Sequence, residues 1–198
     1  RSFYEPVSRV PLMIRAPGLG REQRFVEGNF SQIDLLPTLL ELLGQPVPSH
    51  LQGISRADVL AGNATLEGND VFMQHNGIGD RDLTSEESRP TLSREKAGHM
   101  NIMNNLPWRS VVTADRWKLN LSPGDQCELF DLENDPYEEH NLVGENPGLV
   151  ADMEGLLQEA MAANGDSWRG TPQECGDWEQ WLGNKQIQQQ GPDAVYPG

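Results

Sequence analysis

Two stretches of the chain place apolar residues at the three- and four-residue spacing of an amphipathic helix. The first helix is predicted over 30–44 and the second over 148–162. In the first helix, Ser31 and Asp34 predict a capping box, with Asp in place of the usual Glu. Pro37 removes one backbone donor, and it therefore predicts a kink or a late start in this helix.

Shorter apolar runs predict strands. The run at 10–14 is continuously apolar, which is typical of a strand buried on both faces of a parallel sheet. Residues 70–74 predict a second strand. Three further runs, at 109–113, 117–121 and 128–132, are separated by turn residues and predict an antiparallel meander.

The second helix is predicted to pack on one face of the meander. The side chains expected to be buried there are Leu119, Leu121, Phe130, Met153 and Leu157. Residues 76–106 form a long polar insertion without periodicity, and a loop of that length is usually functional or disordered. The polar tail 164–198 carries aromatic residues, which predict that it packs back on the body of the protein.

Acidic residues dominate the charge of the chain. It has 198 residues, with 15 Lys and Arg against 30 Asp and Glu, a formal net charge of −15. Nucleic-acid phosphates and anionic membrane surfaces attract cations, so this charge argues against both as partners. No apolar run reaches the roughly 18 residues that a membrane-spanning helix needs. The 20 Gly and 14 Pro indicate a loop-rich α/β or α+β protein.

Residue patterns alone reveal little catalytic chemistry. The histidines include no pair at metal-ligand spacing, and the chain has no Gly-x-Ser-x-Gly nucleophile elbow. Asp131, Glu133 and Asp135 alternate as in a calcium loop, but the EF-hand pattern also requires Gly at its sixth position and Glu at its twelfth. Those positions hold Pro136 and Leu142, so a capped turn is favoured there.

Five stretches, taken in order, resemble the signature segments of the type I, formylglycine-dependent sulfatases of the alkaline-phosphatase-like superfamily. The first reads YEPVSRVPLMIRAPG and the second SQIDLLPTLLELLG. The third is the tripeptide LQG, the fourth is the hairpin WRSVVTADRWKL, and the fifth is ELFDLENDPYEEHNL. They lie at 4–18, 31–44, 51–53, 108–119 and 128–142.

The resemblance implies an α/β enzyme of which this chain is a C-terminal, α+β portion. Residues 1–68 would be the C-terminal part of the sulfatase core, at the end of its alkaline-phosphatase-like parallel sheet. Residues 69–163 would form a C-terminal subdomain with a small antiparallel sheet and one packed helix, followed by the packed tail 164–198. The family also favours a periplasmic or extracellular location.

Hydrolysis of a sulfate ester, with a carbohydrate as the expected substrate, is the activity that the resemblance implies. In the family a formylglycine attacks sulfur, and a calcium ion held by three Asp and an Asn or Gln stabilises the sulfate oxygens. These groups all lie upstream of the segments found here. The chain is therefore expected to hold no catalytic residue and no metal, and to be inactive without the N-terminal portion of the same protein.

The segment after the LQG tripeptide is expected to reach over the active-site cleft. His75 and Asn76 could hydrogen-bond a sugar hydroxyl or a second anion there, and the alternative is an ordinary strand-end His with a turn Asn. Arg109 is the third substrate-binding candidate, and its alternative is a salt bridge to the acidic half of the chain.

Two other functions stay open. One is a phosphoester or phosphonate hydrolase of the same superfamily, with an upstream Thr or Ser nucleophile and two zinc sites. The other is a non-catalytic carbohydrate-binding module.

The two cysteines, Cys127 and Cys175, are too few for a disulfide scaffold or a tetrahedral zinc site. In an exported protein they are expected to form one disulfide that holds the tail to the small sheet. A cytosolic protein would instead keep two thiols, because disulfides are rare in that compartment.

Overall fold

The computed structural model describes residues 4–16, 18–19, 22–76, 107–122 and 127–166. Most of the predicted loop 76–106 and of the predicted tail 164–198 lies outside these residues. The helices are α1 (Glu5–Ser8), a 3₁₀ helix (Gln32–Asp34), α2 (Leu35–Leu42), α3 (Ala57–Ala61) and α4 (Pro147–Ala163). The strands are β1 (Val71–His75), β2 (Trp108–Val112), β3 (Trp117–Leu121) and β4 (Glu128–Asp131). Within the described residues, no helix is long and apolar enough to cross a membrane.

The four strands form one antiparallel sheet in the order β1-β2-β3-β4, so the predicted meander is confirmed and β1 adds a further strand to it. The register places Val111 opposite Leu119, and Leu119 opposite Leu129. Side chains alternate between the faces of a sheet, so this cross-strand row presents one continuous apolar surface.

Helix α4 covers that surface, as predicted. Val150, Met153 and Leu157 of α4 are buried against Val111, Leu119, Leu121 and Leu129 of the sheet. All five side chains expected in the core are buried, but Phe130 lies in a second cluster with Val112, Leu132 and the half-buried Met73. The prediction was therefore wrong in placing Phe130 beneath the helix, because Phe130 follows Leu129 and points to the opposite face.

The face of the sheet opposite α4 carries a buried polar cluster. Lys118 is completely buried, and its Nζ lies 2.8 Å from Oε1 of Glu138 and 3.2 Å from Oε1 of Glu5 in α1. Nearby, the Tyr4 hydroxyl donates to Oε1 of Glu128 at 2.7 Å, and the Tyr4 ring meets the Phe130 ring edge-on. The segment around α1 is thus held to the sheet by ionic and polar contacts.

Helix α2 begins late, at Leu35, after the 3₁₀ helix. Pro37 consequently lies in the first turn, where a backbone N–H has no intrahelical acceptor and its loss costs little. The predicted capping box is wrong, because the Ser31 side chain caps nothing. The carboxylate of Asp34 instead accepts the N–H of Ile54 at 2.8 Å and Nε of Arg56 at 2.8 Å.

The LQG tripeptide lies close to the start of α2. A Cβ at Gly53 would collide with the carbonyl oxygen of Ile33, so this position requires glycine. Helix α3 begins four residues after this glycine, at Ala57.

The strand predicted at 10–14 is not formed within the described residues. Residues 9–16 have no regular secondary structure, and Val10, Leu12 and Met13 are exposed by 54%, 47% and 95%. A strand exists only through hydrogen bonds to a neighbour. No such neighbour for this segment is found among the described residues.

The boundary between the predicted core part, 1–68, and the predicted C-terminal subdomain, 69–163, stays a prediction.

Candidate functional site

The end of β1 and the start of β2 bring the three predicted substrate-binding residues together. His75 is the last residue of β1 and pairs in the sheet with Trp108, the first residue of β2. Their rings stack with centroids 5.6 Å apart and planes inclined by 25°. Asn76 follows His75 and is exposed. The site therefore presents a half-buried aromatic stack beside an exposed amide.

Arg109 lies next to this stack and is almost completely buried, with 4% of its surface exposed. Its Nη1 donates to the carbonyl oxygens of His75 at 3.0 Å and Trp108 at 2.8 Å. Its Nη2 donates to Oδ1 of Asn76 at 2.9 Å and to Oδ1 of Asp166 at 3.0 Å. Its Nε pairs with the other oxygen of Asp166.

These bonds engage all five N–H donors that a guanidinium possesses. The bidentate pair with Asp166 is the geometry in which an Arg–carboxylate contact is strongest. Arg109 consequently fixes the backbone at the end of β1 and the side-chain orientation of Asn76. The salt bridge to an acid of the C-terminal half, considered from the sequence as the alternative for Arg109, is present.

Two residues of this site are not evident from the sequence. Asp166 lies 57 positions beyond Arg109, just after α4, and no spacing pattern links the two. Trp108 begins a predicted strand, but its stacking partner is a residue that precedes the long insertion. The stack depends on the pairing of β1 with β2, and the ion pair depends on the position of the residue after α4. A local pattern specifies neither.

One group of possible metal ligands is present in the described part of the chain, formed by Asp135, Glu139 and His140. The Asp135 carboxylate accepts the backbone N–H of His140 at 2.9 Å and of Glu139 at 3.1 Å, and these bonds lower the pKa of Asp135. The group is thus a capped turn at the surface. It does not match three Asp and an amide, the calcium-binding set that the resemblance implies.

Cys127 is a disulfide-bonded residue immediately before β4, and it is buried in the core beneath α4. Cys175 is the other cysteine of the chain and lies outside the described residues. The pairing of the two stays a prediction.

Comparison with known proteins finds sulfatases. A family model described as N-sulphoglucosamine sulphohydrolase, C-terminal, matches residues 1–77. The uncharacterized sulfatase YidJ of Escherichia coli is 32% identical over 81% of this chain and 27% of its own length. A Δ4,5-hexuronate-2-O-sulfatase of Bacteroides thetaiotaomicron is 27% identical over 85% of this chain and 31% of its own length.

The solved structures agree on the fold. A 2-O GAG sulfatase superposes with a TM-score of 0.51 at 24% identity, over 72% of this chain and 28% of that one. The chain spans only about a third of the length of the curated relatives that it matches, between 26% and 32%. The similarity therefore extends over most of this chain but over a minor part of each relative.

Proposed function

We propose that this chain is the C-terminal part of an enzyme that hydrolyses sulfate esters on a carbohydrate, because its sequence and fold are similar to those of sulfatases. The observation that carries the proposal is the match to sulfatases over 79–85% of the chain. Two of the relatives are named for sugar substrates, a Δ4,5-hexuronate-2-O-sulfatase and an N-acetylgalactosamine-6-O-sulfatase. A sulfated amino sugar or uronic acid is the substrate class that we propose for this enzyme.

The catalytic chemistry would come from outside this chain. Formylglycine supplies a nucleophile for sulfur and calcium a counter-charge for the sulfate oxygens, and we assign both to the N-terminal portion of the same protein. The surface turn at Asp135 lacks the ligand set for that calcium, so no step of the reaction is assigned to it.

We propose that the end of β1 contributes the contacts of this chain to the sugar. Asn76 is exposed and held by Arg109, while His75 is held flat against Trp108. Preorganised polar groups beside an aromatic surface suit a ligand with hydroxyls and apolar C–H faces. Arg109 is a positioning residue in this arrangement, since its own donors are engaged by protein acceptors.

His75→Ala and Asn76→Ala in the full-length protein test this assignment. Each is expected to lower kcat/KM on the natural sulfated sugar by about tenfold or more, while the free energy of unfolding changes by less than about 1 kcal/mol. Gln74→Ala is the matched control, because Gln74 is exposed on the same strand. Equal losses of activity and stability in the site variants would assign both residues to the scaffold.

The reaction class requires a separate test. The full-length protein is expected to hydrolyse an aryl sulfate faster than the matching aryl phosphate, and this chain alone is expected to hydrolyse neither. A preference for the phosphate would favour the phosphoester hydrolase. Sugar binding by the chain alone, with no hydrolysis in any longer form, would favour the binding module.

A further inference from the structure

The end of helix α4 places one carboxylate, that of Asp166, behind the proposed sugar site. Gly165 has a left-handed backbone conformation, with a φ of 67°, and its N–H donates to the carbonyl oxygen of Ala162 at 3.2 Å. The N–H of Asp166 donates to the carbonyl oxygen of Met161 at 2.8 Å, which completes a Schellman motif. The position of the Asp166 carboxylate is therefore set by the way the helix ends.

The ion pair of Asp166 with Arg109 is electrically balanced and almost closed to solvent. The exposed fraction is 4% for the Arg109 side chain and 12% for that of Asp166. Both oxygens of the carboxylate accept from the guanidinium. The remaining donors of Arg109 bind two backbone carbonyl oxygens and the side chain of Asn76. Arg109 therefore offers a ligand neither an uncompensated charge nor a spare donor.

The contact with Arg109 also decides which end of the Asn76 amide is available to a ligand. A guanidinium contains no acceptor, so the atom that Asn76 turns towards it is the carbonyl oxygen. The other end of the amide is the NH₂ group, which only donates. We call the position next to this group the Asn76 subsite. A sugar atom bound there has to be a hydrogen-bond acceptor.

We propose that the Asn76 subsite takes an uncharged acceptor of the sugar, a hydroxyl or acetamide oxygen, and discriminates against a second sulfate. This inference rests on the proposed function. An anion in the subsite would lose hydration and gain a hydrogen bond, but it would gain no cation to offset that loss. A neutral oxygen gains the same bond at a smaller loss of hydration. Asp166 determines the selectivity through Arg109, without touching the sugar itself.

Asp166→Asn is the variant that tests this role, because it removes the charge of the carboxylate at almost unchanged size. Arg109 then carries an uncompensated positive charge beside Asn76, which favours an anion in the subsite. Asp166→Glu keeps the charge and is expected to keep the selectivity of the wild type. Asp152→Asn is the matched control, because Asp152 is exposed on α4 and its replacement removes the same charge.

The probes are two pairs of sugar sulfates, and the members of a pair share the ester to be hydrolysed. One pair is N-acetylglucosamine 6-sulfate and glucosamine 2-N,6-O-disulfate. The other is an unsaturated hexuronate 2-sulfate linked either to N-acetylglucosamine or to its 6-sulfate. The full-length wild type is expected to show a kcat/KM about tenfold or more higher for the singly sulfated member of the pair that it hydrolyses. Asp166→Asn is expected to reduce this ratio by about tenfold.

The ratio of two substrates separates selectivity from stability, because a smaller folded fraction lowers both rates equally. A wild type that prefers the doubly sulfated member would overturn the proposal. So would an unchanged ratio in Asp166→Asn, or an equal change of the ratio in Asp152→Asn.

Hydrolysis of neither pair would refute the proposed sugar substrates without deciding the selectivity of the subsite. Isothermal titration calorimetry of the same four sugars then decides it through their dissociation constants. Tighter binding of the singly sulfated members by the wild type, and loss of this difference in Asp166→Asn, would support the subsite. Binding of the doubly sulfated members at least as tightly by the wild type, or binding of none of the four, would overturn it.

Discussion

Leu157 is the side chain that most directly measures how firmly α4 is held to the sheet. It is 2% exposed and lies in the cluster that contains Leu119 and Leu129. Leu157→Ala is expected to lower the free energy of unfolding by about 2–5 kcal/mol, through lost transfer free energy and the cavity that remains. Urea unfolding measures the change, and Tyr137→Ala at an exposed position is the control. A cost near zero would mean that α4 is not docked.

Lys118 presents the opposite case, a charged residue in the interior. Lys118→Met leaves the buried carboxylate of Glu138 without its cation, and it is expected to cost about 3–5 kcal/mol in unfolding free energy. Lys118→Met combined with Glu138→Gln is expected to recover part of this loss, because Glu5 is then the one remaining carboxylate of the two that Lys118 contacts. Glu139→Gln, at the exposed next residue, is the control. A double variant that loses the sum of both single effects would contradict the buried pair.

The burial of Leu157 can be predicted from the sequence, whereas the burial of Lys118 cannot. Leu157 belongs to a helical period, and periodicity alone places it in the core. Lys118 alternates with Trp117 and Leu119, a pattern that usually points a polar side chain to solvent. It is buried because Glu5 and Ser8, 113 and 110 positions away, reach over it. Contacts between residues so far apart in the sequence cannot be predicted from the pattern of neighbouring residues.

At the scale of elements, the sequence predicts where most elements lie, but it does not predict which distant segments they pack against. The strands β2 and β3 and helix α4 emerge within one or two residues of their predicted ranges, because short turns bring neighbours together. The predicted strand at 10–14 forms no ladder within the described residues. Helix α2 forms as expected. The partners of its buried face, Ile54 and Arg56, lie in a loop whose sequence has no helical or strand periodicity, so these contacts were not predicted.

The turn after β4 provides a prediction on pH. The side-chain amide of Asn134 and the backbone N–H groups of Asn134 and Glu133 donate to Asp131, and they lower the pKa of its carboxyl. A carboxylate with a lowered pKa in the folded state stabilises the fold above its unfolded pKa of about 4, and this contribution disappears as the pH falls below that value.

Asp131→Asn is therefore expected to show a smaller drop in unfolding free energy between pH 7 and pH 3 than the wild type. Asn134→Ala keeps the Asp131 carboxylate but removes the side-chain amide that donates to it, and it is expected to reproduce part of the smaller drop. Urea unfolding at pH 7 and at pH 3 measures the drop in each protein. An identical drop in all three proteins would show that the turn does not contribute to acid sensitivity.

At the scale of the whole molecule, a few polar side chains join parts of the chain that are far apart in sequence. Asn29 donates to the carbonyl oxygens of Asn69 and Thr113, at 3.2 and 3.0 Å, and so connects the segment before α2 to the sheet. Arg109 connects β1 and β2 to the residue after α4. His75, Asn76 and Arg109 could be named from the family's sequence pattern. The stack and the ion pair that orient them could not, because they exist only in the assembled sheet.

The disulfide at Cys127 would also join distant parts of the chain, because it would connect the core to the tail. If Cys175 is its partner, the closed loop spans 48 residues, and the chain-entropy model gives about 4 kcal/mol of stabilisation before any native strain is subtracted. Cys127→Ser, Cys175→Ser and the double variant are then expected to lose similar amounts of unfolding free energy, since each removes the same bond. Tryptic peptides under non-reducing conditions should contain both cysteines in one linked species. Two titratable thiols in the denatured, unreduced protein, or a Cys175→Ser variant as stable as the wild type, would contradict this pairing.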